Sequence, residues 1–137
     1  VERKTRYAVV AKSKDKTTCS VTSCINRSMA QLAELVKTIT LDNGKEFANH
    51  ESLSSNLGCD VYFAKPYHSW ERGLNENTNG LLRQYFPKKT KFDDISAEEI
   101  QIAVNKINNR PRKCLNYKTP AEEFSRLAAK KGIALRI

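Results

Sequence analysis

Apolar and polar residues follow two different rhythms along this chain, and each change of rhythm marks an element. Thr38-Ile39-Thr40-Leu41 and Cys59 to Ala64, centred on Val61-Tyr62-Phe63, are short runs rich in β-branched and aromatic residues. They read as strands, the second as a buried one. Tyr7-Ala8-Val9-Val10-Ala11 reads as a further strand after a turn at Glu2 to Arg6. A lone strand there wants a neighbour for its backbone groups, and the natural partner would lie just before residue 1. Between these runs the apolar positions recur at helical spacing. Val21, Cys24, Ile25, Ser28, Met29, Leu32 and Leu35 predict one amphipathic helix from a cap at Thr17 or Thr18 to about Leu35. Phe47, His50, Leu53 and Leu57 predict another, stopped by Gly58.

After a loop from Lys65 to Leu74 the pattern is helical again. Over Leu74 to Phe86, the residues Leu74, Leu81, Leu82, Tyr85 and Phe86 share one arc, while Glu76, Gly80 and Arg83 cluster on the other side. Pro87 ends that helix. Ser96-x-x-Glu99 is a capping-box signature opening a helix with Ile100, Ala103, Val104 and Ile107. Thr119-Pro120 opens a last one carrying Phe124, Leu127 and Ala128. Alternating strands and helices argue a layered α/β fold. No repeat, low-complexity tract or boundary interrupts the pattern, so residues 1–137 read as a single domain.

Composition narrows the function. With 39% apolar residues the chain can bury a core. No run approaches the roughly 18 apolar residues of a membrane span, and no signal segment is evident, which reads as a soluble, cytoplasmic protein without a membrane partner. A formal net charge of +9 points to a polyanion, nucleic acid before membrane, because no basic amphipathic helix stands out. Cys19, Cys24, Cys59 and Cys114 are spaced too irregularly for a zinc ribbon or a redox pair. Zinc held by Cys19 and Cys24 with His50 or His68 is an alternative to plain free thiols.

The candidate chemistry starts at Asp42. The first run delivers this aspartate to a strand end, and Asn43-Gly44 turns the chain away behind it. Glu76 follows after 33 intervening residues, in the first turn of a patterned helix. If that helix lies along the sheet edge, the two carboxylates meet, and hard oxygen ligands of this kind suit Mg²⁺ or Mn²⁺. Taken alone, an aspartate beside Asn-Gly is a turn former, and the helix reads as a solvated surface helix. Gly80, one turn beyond Glu76, would let a DNA backbone approach, with Arg83 meeting phosphate. Lys88, Lys89 and Lys91 form one basic loop and Arg110-Pro111-Arg112-Lys113 a second, both candidate phosphate contacts. Asp93 and Asp94 are explained by a helix N-terminus, and Asp15 by a solvated turn.

Three stretches read together carry more than their parts. Thr40-Leu41-Asp42-Asn43-Gly44-Lys45-Glu46-Phe47, Lys65-Pro66-Tyr67-His68-Ser69-Trp70-Glu71-Arg72-Gly73 and Asn75-Glu76-Asn77-Thr78-Asn79-Gly80-Leu81-Leu82-Arg83-Gln84-Tyr85-Phe86-Pro87 resemble the catalytic core of bacterial insertion-sequence transposases. The match is to the insertion sequence thirty family, relatives of retroviral integrases in the DDE superfamily, and runs from about Val1 to Phe124. Asn108-Asn109-Arg110-Pro111-Arg112 through Thr119-Pro120 resembles the end of that core. The resemblance implies a ribonuclease-H-like fold and metal-dependent DNA cleavage and strand transfer, with two Mg²⁺ or Mn²⁺ ions in the complete site. Asp42 and Glu76 would be catalytic metal ligands. Lys45, His68, Arg72, Asn75, Asn79, Arg83, Lys88, Lys89, Arg110, Arg112 and Lys113 would contact DNA, with Trp70 anchoring the loop or touching a base.

Measured against the family pattern, the chain starts at the end of the second strand. It lacks the first strand with its catalytic aspartate, so this chain alone is expected to be inactive. Partners implied are transposon ends, target DNA and further copies of the chain, at the bacterial nucleoid. The family's helix-turn-helix region has no counterpart here. The competing readings are a non-catalytic DNA-binding or assembly remnant, and a structural α/β domain whose charge serves solubility.

Overall fold

The computed structural model describes residues 1–65 and 73–131, which fall into two compact units. One runs from Ala11 to Arg72, and the other combines Val1–Val10 with the chain from Gly73 onward.

In the first of these, Thr17 caps helix α1 (Thr18–Met29) by accepting from the Ser20 N–H. A single helix to Leu35 was the expectation from spacing. The chain instead tightens into a 3₁₀ segment over Ala30–Leu35. The Ser28 hydroxyl donates to the Cys24 carbonyl at 2.6 Å, a back-bond of the kind that bends helices, one residue before α1 ends. Strand β1 (Thr38–Leu41), helix α2 (His50–Leu57) and strand β2 (Asp60–Phe63) then form a parallel β-α-β unit, with Thr38 opposite Asp60 and Leu41 opposite Phe63. Gly58 ends α2 at φ +61, a left-handed conformation that favours glycine. Leu41, Leu53, Leu57, Cys59 and Ala64 are buried around this unit with Thr22 and Cys24 of α1. The reading of β2 as a buried strand is corrected: Tyr62 is 55% exposed and Phe63 39%. An aromatic-rich run has high strand propensity whether or not both faces are covered, so composition alone does not report burial.

The other unit is built on three helices, α3 (Gly73–Tyr85), α4 (Ala97–Asn108) and α5 (Pro120–Lys130). Ile100, Ala103, Val104 and Ile107 of α4 and Phe124 and Ala128 of α5 are buried at the helical spacing that predicted them. Tyr7 stacks on Phe124 with ring centroids 4.3 Å apart. The strand expected over Tyr7 to Ala11 is absent, because no described strand pairs with it. At Ala8 the backbone groups are met another way: buried Asn108 accepts from the Ala8 N–H and donates to the Ala8 carbonyl, both at 2.9 Å. One side-chain amide thus does the work of a neighbouring strand.

Both capping boxes form. Glu99 accepts from the Ser96 N–H at 2.8 Å, and Glu122 from the Thr119 N–H at 2.7 Å. These backbone bonds, with help from the cap hydroxyls, hold both carboxyls below the usual range. With folded pKa values depressed, the stabilisation is present above about 4.5, the ordinary value, and lost as pH falls through the lowered ones. The double variant Glu99→Gln, Glu122→Gln keeps cap geometry without titrating. Thermal unfolding from pH 6 to 3 is therefore expected to show a shallower decline than in the parent; equal slopes would refute the assignment.

Candidate functional site

Asp42 follows directly after β1, at the carboxyl end of the parallel pair, the side of such sheets where ligands bind. It is half-buried, with Oδ1 shielded from solvent. The backbone to either side is fixed by one residue across the sheet. The Ala64 N–H donates to the Leu41 carbonyl at 2.8 Å, and the Asn43 side chain donates to the Ala64 carbonyl at 2.8 Å. Asn43 thereby extends the ladder past the strand, bracketing Asp42 and holding the carboxylate at a defined place. Asn43 was read in the sequence only as a turn former. Its role beyond that depends on register with a residue 21 positions away, which local pattern does not carry.

The turn behind Asp42 is crowded. The Glu46 carboxylate folds back against Gly44, where a Cβ would stand only 2.5 Å from its Cδ. Gly44 has an ordinary extended backbone (φ −69), and a side chain there would only displace the flexible end of Glu46. Glu46, not singled out from sequence, therefore lies close to the Asp42 turn. Lys45 is exposed, and its carbonyl accepts from the Thr18 hydroxyl at 3.3 Å. A hollow of about 260 Å³ bordered by Asn43, Gly44, Phe47 and His50 adjoins the turn. A larger one, about 430 Å³, lies along α2 and β2 away from Asp42.

Glu76 stands exposed in the first turn of α3, with Gly80 and Arg83 exposed further along. Their spacing of four and three residues puts all three on one face. Asn79 is exposed, Asn75 half-buried, and Thr78 supplies the buried contact of the helix. Among the described residues, nothing beyond the helix's own backbone and the neighbouring residues comes within 4 Å of where a Cβ on Gly80 would be. Lys88 and Lys89 project from a turn closed by the Thr90 N–H to the Pro87 carbonyl at 3.1 Å. His68, Trp70 and Arg72 lie outside the described residues.

Arg110 and Lys113 are exposed on the loop after α4. Arg112 is turned inward: its Nη2 donates to the Ile107 carbonyl at 3.3 Å, capping α4. Burial, then the charge of Arg110, lowers its pKa from the ordinary arginine value. All four cysteines are free thiols, and no group of three or more His, Cys, Asp or Glu side chains is assembled among the described residues. Among these residues, no helix is long and apolar enough to cross a membrane.

No family model matches the chain. A transposase for insertion sequence element IS4351 of Bacteroides fragilis is 44% identical over 133 residues, covering 97% of this chain and 41% of that protein. Transposase InsI for insertion sequence element IS30A of Escherichia coli K12 is 42% identical over 136 residues, 98% of this chain and 34% of that protein. The chain therefore spans well under half the length of these relatives. Among solved structures, the catalytic core domain of BIV integrase superposes with a TM-score of 0.61 at 22% identity, over 85% of this chain and 76% of that one. The fold is that of the ribonuclease-H-like integrase cores.

Proposed function

We propose that this chain, related in sequence to the insertion-sequence transposases over nearly its whole length, is part of an enzyme that cuts DNA at the ends of a mobile element and joins them to a target. The observation that carries this is the seat of Asp42, a carboxylate at the carboxyl end of parallel strands, bracketed by two hydrogen bonds to Ala64. Asp42 and Glu76 each carry the hard carboxylate oxygens that Mg²⁺ or Mn²⁺ takes, and would be its ligands as the family resemblance implies. Such ions, two in the complete family site, would supply a lowered pKa for an attacking water or 3′-hydroxyl and positive charge against the phosphate.

The chain's own residues then have distinct tasks. Asp42 and Glu76 fix anionic ligand charge on a strand end and a helix. Arg83, Lys88, Lys89, Arg110 and Lys113, all exposed, meet flanking phosphates, and the open face at Gly80 lets a backbone approach. Lys45, Asn75 and Asn79 extend that contact, as do His68 and Arg72. The partners are transposon-end and target DNA, with further copies of the chain, at the bacterial nucleoid in the cytoplasm. Glu76→Gln, made in a longer protein that carries this chain together with the family's upstream strands, tests the reading: DNA binding in EDTA should persist and weaken with salt, while metal-dependent cutting and joining should disappear. A second reading, DNA binding without catalysis, draws on the basic surface alone, with a formal net charge of +9. It predicts a Glu76→Gln chain indistinguishable from the parent in every assay.

A further inference from the structure

Tyr117 occupies a backbone position made for glycine. The Lys118 N–H donates to the Leu115 carbonyl at 3.1 Å, and the two residues between them, Asn116 and Tyr117, have φ of +53 and +63. Two successive left-handed residues closed by that bond make a type I′ turn, in which asparagine then glycine is the favoured pair. Asparagine is present; the glycine is replaced by a bulky aromatic in a conformation that costs an L-residue stability. Nothing in the fold repays this, since Tyr117 is 71% exposed. The turn itself is held firmly: the Arg112 carbonyl accepts from the Leu115 and Tyr117 N–H groups, both at 2.9 Å, and the Arg112 N–H donates to the Lys118 carbonyl at 3.0 Å.

The surrounding charge has one sign. Residues 100–121 carry five basic side chains and no acidic one. Arg110 and Lys113 are exposed beside the turn. Acidic groups follow at the start of α5, but each is engaged: Glu122 caps Thr119, and Glu123 pairs with Lys118 at 3.3 Å and Arg126 at 2.6 Å. A rigidly presented ring between phosphate-neutralising cations is the equipment used to hold an unstacked base. We propose that the loop from Arg110 to Lys118 binds DNA where a base is unpaired, with Tyr117 stacking on that base and Arg110 and Lys113 on its flanking phosphates. This rests on the DNA reading above.

The test compares the parent chain with Tyr117→Gly and Tyr117→Phe, using anisotropy on a blunt duplex and on the same duplex with a short single-stranded overhang. Tyr117→Gly should melt about 3 °C higher, because the turn is relieved. It should bind the overhang DNA about tenfold more weakly, with blunt duplex binding unchanged, and Tyr117→Phe should match the parent. Equal overhang binding by the parent and Tyr117→Gly would overturn the stacking role while leaving DNA function intact. So would a loss in Tyr117→Phe equal to that in Tyr117→Gly, or a change confined to self-association. Absence of any salt-sensitive DNA binding by the parent would instead overturn the DNA reading, and this proposal with it.

Discussion

Replacing Asn108 with alanine is expected to cost about 3 kcal/mol of stability. The Ala8 backbone is 2% exposed and Asn108 3%, so water cannot replace the lost bonds. Removing the amide leaves the Ala8 N–H and carbonyl both unsatisfied, each at about 1–3 kcal/mol. It also frees the segment that carries Tyr7 onto Phe124. Asn108→Asp sharpens the argument. The carboxylate still accepts from Ala8 N–H but faces the Ala8 carbonyl without a proton to donate, a cost of about 4 kcal/mol at neutral pH. Burial would raise that carboxyl's pKa, so stability is recovered at acid pH, where the protonated group can donate, and lost as pH rises through the raised value. Urea unfolding should show a lower midpoint at pH 7 with unchanged slope for both variants, and partial recovery at low pH for Asn108→Asp alone. A midpoint within experimental error of the parent would refute the role.

Asp42→Asn is expected to reduce metal-dependent strand transfer by an assembly containing this chain about a thousandfold or more. The amide preserves size and keeps a hydrogen-bonding oxygen, but supplies neither the negative charge nor the hard anionic donor that Mg²⁺ requires. A thermal melt of Asp42→Asn is the control that separates loss of the metal ligand from loss of fold, while the Ala64 bonds, made by Leu41 and Asn43, remain. DNA binding in EDTA should likewise hold. Asn43→Ala separates position from charge: the carboxylate stays, its seat loosens, and transfer should fall about tenfold. Strand-transfer gels with precut donor DNA measure both, and equal losses in the two variants would deny Asp42 a role of its own.

Those residues also show what could be read from sequence and what could not. The placement of Asp42 just past a strand and of Glu76 in the first turn of a helix was legible, because the β-branched run of Thr38 to Leu41 and the helical spacing after Leu74 each encode a local geometry, as do the box at Ser96-x-x-Glu99 and the cap at Thr119-Pro120. Asn108, Asn43 and Arg112 were not legible in the same way. Asn108 reaches a residue 100 positions away, and Asn43 one 21 away, so local pattern carries neither bond. Arg112 sits in a basic run that resembles a phosphate contact, while its guanidinium in fact caps α4. The exposed β2 shows the same limit from the apolar side: a hydrophobic run states a strand, and only its neighbours decide what covers it.

The claim that Asp42 and Glu76 hold a divalent metal is tested most directly by Mn²⁺ titration of the chain followed by NMR line broadening. The amides of Asn43 and Gly44, and of Asn77 beside Glu76, are expected to broaden first, and Asp42→Asn is expected to abolish the effect around residue 42. Broadening that begins elsewhere, or that persists unchanged in Asp42→Asn, would contradict it.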